Sequence, residues 1–359
     1  MKMFAFFLPQ YHEIPENDEW WGKGFTEWVN VKKAQPLYRT HEQPQRPLND
    51  NYYNLLKKAT VEWQTELMKQ YRISGMIYYH YYFKGKMLLQ KPAENLLKWK
   101  DIDQPFFFCW ANHTWNRSWN GTREVLLKQE YGDEKDWEHH FQYLLPFFMD
   151  SRYEKKDNKP VVMLYQPIFR EKRAIFDYFE KRCIDNGFSG IYLIETCIKT
   201  GENNLNKIKD SVASQCEALF FREPNVSQNL YLEEYYKTPF SHFIPRVINR
   251  IMGKKGKPAI FNGNKLYEIM KNKEPQEDNI IRGAFFRWDN TPRHGKRGYI
   301  IKEIDKKVFF EYMDQIKEDE YCFINAWNEW AEGMMLEPTE NEKYKYLEWI
   351  KEWVEKQTK

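Results

Sequence analysis

The chain has 359 residues, 42% hydrophobic and 30% charged, with a net charge of +3. That balance describes a globular protein with room for one large core, and it supplies no strong field for nucleic acid or an anionic membrane surface. The aromatic share of 18%, with 14 Trp, 24 Tyr and 25 Phe, leaves a surplus of rings that a stacking surface for sugars or bases would need.

Short apolar runs recur along the chain, each ending in a polar or aromatic tip. Residues 3–8 lead into Pro9-Gln10-Tyr11-His12, residues 76–79 into His80-Tyr81-Tyr82, and residues 105–109 into Trp110-Ala111-Asn112-His113. Runs 161–165, 191–194 and 214–221 follow, ending in Gln166-Pro167, Glu195-Thr196 and Arg222-Glu223. The last two are 280–286, before Arg287-Trp288-Asp289-Asn290, and 321–324, before Asn325-Ala326-Trp327. Continuous rather than alternating apolar runs indicate strands buried on both faces, as in a parallel sheet. Helical spacing of apolar residues marks 52–72, 133–149, 170–186, 300–317 and 342–356. Eight strand–helix units predict an α/β fold, a single (β/α)8 TIM barrel domain over residues 1–359 with its site at the C-terminal rim. A doubly wound open sheet would carry a glycine-rich first turn, which Pro9-Gln10-Tyr11-His12 lacks. Two long connections, 12–47 and 225–275, are expected to rise beside the rim and shape a cleft.

The strongest chemical signal is Trp327-Asn328-Glu329-Trp330-Ala331-Glu332-Gly333. Two carboxylates three residues apart, among indoles and an amide, suit a glycosidic bond: Glu329 and Glu332 as acid and base, Trp327 stacking, Asn328 reading hydroxyls. The plainer reading is a capping turn with both acids in water, but a buried unpaired carboxylate is costly and a rim pair can converge on a ligand. Glu337 is balanced between a salt-bridge partner and a third acid. Rim candidates for substrate contact are Tyr11, His12, Glu27, Trp28, His80, Tyr81, Trp110, Asn112, His113, Trp115, Trp288, Asp289 and Asn290. For Asp289, a turn cap paired with an arginine competes closely. In the dense stretch 107–121, Trp115 or Trp119 taken alone reads as readily as a rigid loop cover, and the density of amides beside the indoles favours ligand contact for Trp110 and Asn112.

No metal and no cofactor are expected. The eight histidines form neither H-x-x-x-H nor H-E-x-x-H, and there is no GxGxxG or Walker A motif. Five widely spaced cysteines without a C-x-x-C read as free thiols of a reducing compartment, so a cytoplasmic location is expected. No run approaches the ~20 apolar residues of a membrane span. The expected partner is an oligosaccharide or polysaccharide, with no nucleic acid and no integral membrane segment; nothing in the sequence fixes the oligomeric state.

Taken in order, Phe7-Leu8-Pro9-Gln10-Tyr11-His12, Gly24-Phe25-Thr26-Glu27-Trp28, Tyr79-His80-Tyr81, Cys109-Trp110-Ala111-Asn112, Trp288-Asp289-Asn290-Thr291-Pro292 and the Glu329/Glu332 motif resemble WbsX-type proteins. These are glycoside hydrolase family 99-like domain proteins found with bacterial polysaccharide biosynthesis functions. The resemblance runs from about residue 4 to residue 340 and implies a (β/α)8 barrel with a carbohydrate-active role. It extends distantly to endo-α-mannosidases with a similar Glu-Trp-x-Glu element, which retain configuration through a 1,2-anhydro sugar. Carried over, Glu329 would assist the substrate's 2-hydroxyl as base, and Glu332 would protonate the leaving oxygen. The chain departs from the pattern at His113 and Asn120, where acids would be expected, and this points to a different substrate.

Three functions follow as expectations. The first is a retaining, endo-acting glycoside hydrolase or transglycosidase on a bacterial polysaccharide, in a cleft of at least two sugar subsites. The second is a glycosyltransferase of O-antigen, lipopolysaccharide or capsular assembly. The third is a non-catalytic sugar-binding barrel.

Overall fold

The computed structural model describes residues 1–117, 124–198, 216–235, 258–272 and 279–357. Trp119, Asn120, the first two residues of the run 214–221 and the middle of the connection 225–275 lie outside these residues.

Eight parallel strands close into a barrel: β1 Lys2–Phe7, β2 Gly75–Phe83, β3 Phe106–Trp110, β4 Lys159–Leu164, β5 Tyr192–Cys197, β6 Cys216–Phe221, β7 Ile280–Phe285 and β8 Tyr321–Asn325. Closure is explicit in the register, because β1 pairs with β8 through Lys2 and Tyr321 and with β2 through Phe4 and Gly75. Each predicted run became one barrel strand. Several strands run on into their tips: β2 extends through His80-Tyr81-Tyr82, β5 takes in Glu195 and Thr196, and β3 and β8 each gain one residue, Trp110 and Asn325.

Phenylalanine fills the barrel. Phe4 packs on Phe107 at 5.2 Å between ring centres, Phe107 on Phe323 at 5.5 Å, Phe220 on Phe323 at 5.2 Å and Phe6 on Phe220 at 5.6 Å. Each fully buried ring contributes about 1.5–3 kcal/mol by removal from water. Gly75 is part of that packing, since a Cβ there would meet the Phe4 ring at 2.4 Å.

Helices Lys58–Gln70, Glu134–Phe148, Lys172–Asp185 and Lys345–Gln357 fall within or close to the predicted stretches. Asp133 caps the second of these, accepting from the backbone N–H groups of Lys135 and Asp136. One stretch is corrected: over 300–317 only Lys306–Gln315 is helical, while Tyr299–Lys302 joins Ala259–Asn262 and Trp288–Asp289 in a small rim sheet. Its β-branched Ile300 and Ile301 favour that strand over the helix the period suggested. The 12–47 connection holds two short helices, Pro15–Trp21 and Glu27–Lys33. The cysteines are free, all but Cys216 buried. Among the described residues no helix is long and apolar enough to cross a membrane, and no cluster of His, Cys, Asp or Glu is arranged to hold a metal.

Candidate active site

β8 ends at Asn325, and the chain turns into a hairpin in which Asn328–Glu329 pairs with Met334–Met335. Between them a single 3-10 turn, Trp330–Glu332, carries the second acid. Gly333 closes it at φ 58°, where a Cβ would lie 2.9 Å from that of Asp289, so a glycine is required. This hairpin aims Glu329 and Glu332 into a cleft of about 420 Å³ above the barrel.

One guanidinium organises the acids. Arg293 Nη1 lies 2.5 Å from Glu332 Oε1, and Nη2 lies 3.1 Å from Glu27 Oε1 and 3.5 Å from Glu329 Oε2. Glu332 also accepts from the Trp288 indole N–H at 3.1 Å. Glu329 is the least supported: its Oε2 is buried without a hydrogen bond. Burial, opposed by Arg293 and reinforced by Glu332 and Glu27, pushes its carboxyl up to about 8. Burial thus favours the protonated form of Glu329, while Arg293 pins Glu332.

The remaining lining is aromatic and basic. Trp21, Phe25, Tyr79, Tyr81 and Trp115 supply ring surface, and Arg222, Tyr165, His113, His294 and Gln10 supply polar groups. Tyr81 meets Trp115 edge-on at 5.2 Å. Burial holds both histidines neutral, His113 being lowered to about 4.

Of the predicted residues, Glu329, Glu332, Glu27, Tyr81, His113 and Trp115 converge on this cleft. The others do not line it. Alternation sends His80 outward, where its Nε2 lies 2.8 Å from that of His140 behind the barrel wall. Trp110 packs outward too, 4.8 Å from His140, with its indole N–H on the Tyr82 carbonyl. Asn112 is buried, donating to the Gln166 carbonyl at 2.7 Å and accepting from its N–H at 2.8 Å. Asn328 does the same to Leu8, accepting from N–H at 2.7 Å and donating to the carbonyl at 3.1 Å. Tyr11 bonds the Asn328 carbonyl, Trp28 the Tyr53 carbonyl, and Trp327 is wholly buried. His12 is buried, and among the described residues neither ring nitrogen has a hydrogen-bond partner.

Trp288 and Asp289 line a separate cavity of about 370 Å³. Asp289 is a turn anchor, as the plainer reading held, but its partners are His41, Gln43 and Thr291 rather than an arginine. Asn290 accepts from the Tyr299 N–H. Glu337 takes hydrogen bonds from Tyr53, Gln64 and Trp330 and forms no salt bridge among the described residues. The sequence reading missed Arg222, Arg293, Tyr79, Tyr165, Trp21, Phe25, Gln10 and His294 as members of the site.

A model of the WbsX glycosyltransferase family matches residues 3–350. The chain belongs to the WbsX family. Membership places it in a carbohydrate-active family, described as glycosyltransferases. The uncharacterised protein WxcX of Xanthomonas campestris pv. campestris strain B100 is 29% identical, covering 96% of this chain and 48% of its own length. The counterpart in strain ATCC 33913 matches equally at 29%. The chain thus spans about half the length of the curated relatives it matches. Among solved structures, the GH99 endo-α-mannosidase from Bacteroides thetaiotaomicron in complex with bis-tris propane superposes with a TM-score of 0.54 at 14% identity, over 99% of this chain and 96% of that one. A glycoside hydrolase-like protein gives 0.55 at 12% identity, over 98% and 93%. At these identities the likeness is one of fold.

Proposed function

We propose that this WbsX chain is an enzyme that cleaves or transfers glycosidic bonds within a bacterial polysaccharide, with retention of configuration. The observation that carries the reading is the convergence of Glu329 and Glu332 on Arg293 at one wall of an aromatic-lined cleft. No covalent carboxylate nucleophile is required. Glu329 assists the substrate's own 2-hydroxyl, and Glu332 protonates the leaving oxygen and later activates water or an acceptor sugar.

This division imposes a proton transfer. Burial favours the protonated form of Glu329, which must give up that proton to act as a base. Glu332 must acquire one to act as an acid. Substrate that loosens Glu332 from Arg293 lets the same proton cross the pair, arming both groups at once. The reaction is expected to be endo-acting, since Trp21, Phe25, Tyr81 and Trp115 offer more ring surface than one sugar covers.

The test is digestion of purified bacterial polysaccharides with products sized by mass spectrometry, using the wild type and Glu332→Gln. Oligosaccharides early in the digest, absent with the variant, are expected. Full activity of Glu332→Gln overturns the assignment, and monosaccharide alone from the start overturns endo action. On an aryl glycoside with a good leaving group, Glu332→Gln should recover turnover and Glu329→Gln should not; the opposite pattern reverses the two roles.

The family description favours a second reading, glycosyl transfer from a nucleotide sugar. Calorimetry against a nucleotide-sugar panel tests it: tight binding with transfer and no hydrolysis replaces the first reading by the second.

A further inference from the structure

The cleft has a second wall with the opposite chemistry. Tyr165 follows β4, the strand four places round the barrel from β8, and Arg222 follows β6. Both line the cleft, with His113 from the connection after β3. Arg222 donates through Nη1 to the Tyr165 hydroxyl, and its guanidinium carbon stands 4.6 Å from the centre of that ring. Among the described residues no carboxylate lies within 4.0 Å of Arg222, whereas Arg293 meets three. Among the described residues the buried Arg222 Nε and His113 Nδ1 have no hydrogen-bond partner. A guanidinium only donates, and Tyr165, already accepting from Arg222, keeps its own O–H to give. A partly buried cation without a close counter-ion is costly, and a bound anion recovers that cost; the planar fork suits an oxyanion.

We propose that Arg222 and Tyr165 form an oxyanion subsite and that the sugar unit bound against them is acidic, bearing a carboxylate as a uronic acid does. The proposal rests on the carbohydrate reading above and names its substrate class. Repulsion from Glu27 and Glu332 turns the sugar's carboxylate toward Arg222 and leaves the glycosidic bond on the acid side; His113 and His294, both held toward the neutral form by burial, do not oppose this. A phosphoryl group shares the chemistry, but the end of β6 offers it no cradle. The helix Asn225–Tyr235 begins there, and the Glu223 carboxylate already takes the Ser227 N–H at 3.0 Å and hydroxyl at 2.6 Å. No glycine follows Arg222 before that helix.

The experiment is calorimetric titration of the full chain with methyl uronosides of the gluco, galacto and manno series, each against its neutral parent, with uridine diphosphate and inorganic phosphate in parallel. At least one uronoside should bind about tenfold or more tighter than its parent. Arg222→Gln should abolish that preference, and Arg222→Lys should keep a smaller one. Added salt should weaken the uronoside and spare the neutral sugar, a readout on the wild type that decides the matter if Arg222→Gln does not fold. Equal affinity for charged and neutral sugars overturns the subsite and leaves the carbohydrate reading intact. Binding of uridine diphosphate or phosphate through Arg222, with no uronoside preference, overturns the uronic acid in favour of a phosphoryl donor. Binding of no probe overturns both readings.

Discussion

Replacing Glu329 by Gln should make the protein more stable and inactive at the same time. The carboxyl is largely buried, its Oε2 has no hydrogen bond among the described residues, and burial pushes it up to about 8 from the ordinary 4.5. A carboxyl raised in this way contributes stability that is fully present below the unfolded value. That stability is lost as pH climbs from about 4.5 to about 8, because the unfolded chain ionises freely and the folded site does not. At ~1.36 kcal/mol per pH unit, the loss is about 3 kcal/mol at pH 7 and on the order of 4–5 kcal/mol above pH 8. Gln has the same shape and no proton to lose. It forgoes only the longest of the three Arg293 contacts, 3.5 Å, and its amide oxygen still accepts there. Urea denaturation followed by tryptophan fluorescence should give nearly equal stabilities at pH 5. The variant should be ahead by about 3 kcal/mol at pH 7, or roughly 4 °C in melting temperature for a chain of this length, and further ahead at pH 8.5. A difference that does not change with pH, or a less stable variant at pH 8.5, would refute the stored proton and the proton transfer built on it.

Arg293→Met strands three acids without a cation and should cost about 3–5 kcal/mol at neutral pH together with all turnover. The stability should return as pH falls, because protonation replaces the lost ion pairs, and pH-dependent melts check this. His80→Ala should leave kcat/KM unchanged while lowering stability by about 2–4 kcal/mol, because the ring packs against His140 outside the barrel. Trp115→Ala should do the reverse, raising KM about tenfold through lost stacking surface with a melting temperature close to that of the wild type. Steady-state kinetics beside thermal melts separates the two cases.

The barrel was legible because strands buried on both faces leave continuous apolar runs, each followed by a polar or aromatic tip. The side on which each tip residue falls was legible too, but only by counting from an inward ring. Phe220 packs inside on Phe6, so Arg222, two residues on, follows the same face to the cleft. Phe107 packs inside on Phe4 and leads by twos to Ala111 and His113, both lining the cleft, while Trp110 falls on the other face. The same count on β2 selects Tyr79 and Tyr81 and rejects His80. Arg293 escapes this counting. It projects from the short helix Thr291–His294, and nothing periodic links that turn to the carboxylates of two other connections.

The motif amides teach a different lesson. Asn112 and Asn328 stand beside Trp and Glu, where a sugar-reading amide would be expected, yet each is spent on the backbone of a neighbouring tip, at Gln166 and at Leu8. Both hydrogen bonds run in both directions, as between paired strands, and so continue the ladder past the point where the barrel strands end. The acid pair depends on that extension: Glu329 and Glu332 sit on a hairpin whose first residue, Asn328, is locked to the end of β1. A rim signature in sequence therefore mixes the groups that do chemistry with those that hold the rim rigid. The two separate by burial and hydrogen bonding together: Asn328 is wholly buried with both amide N–H donors engaged, whereas Glu329 lines the cleft and keeps an oxygen with no hydrogen bond among the described residues.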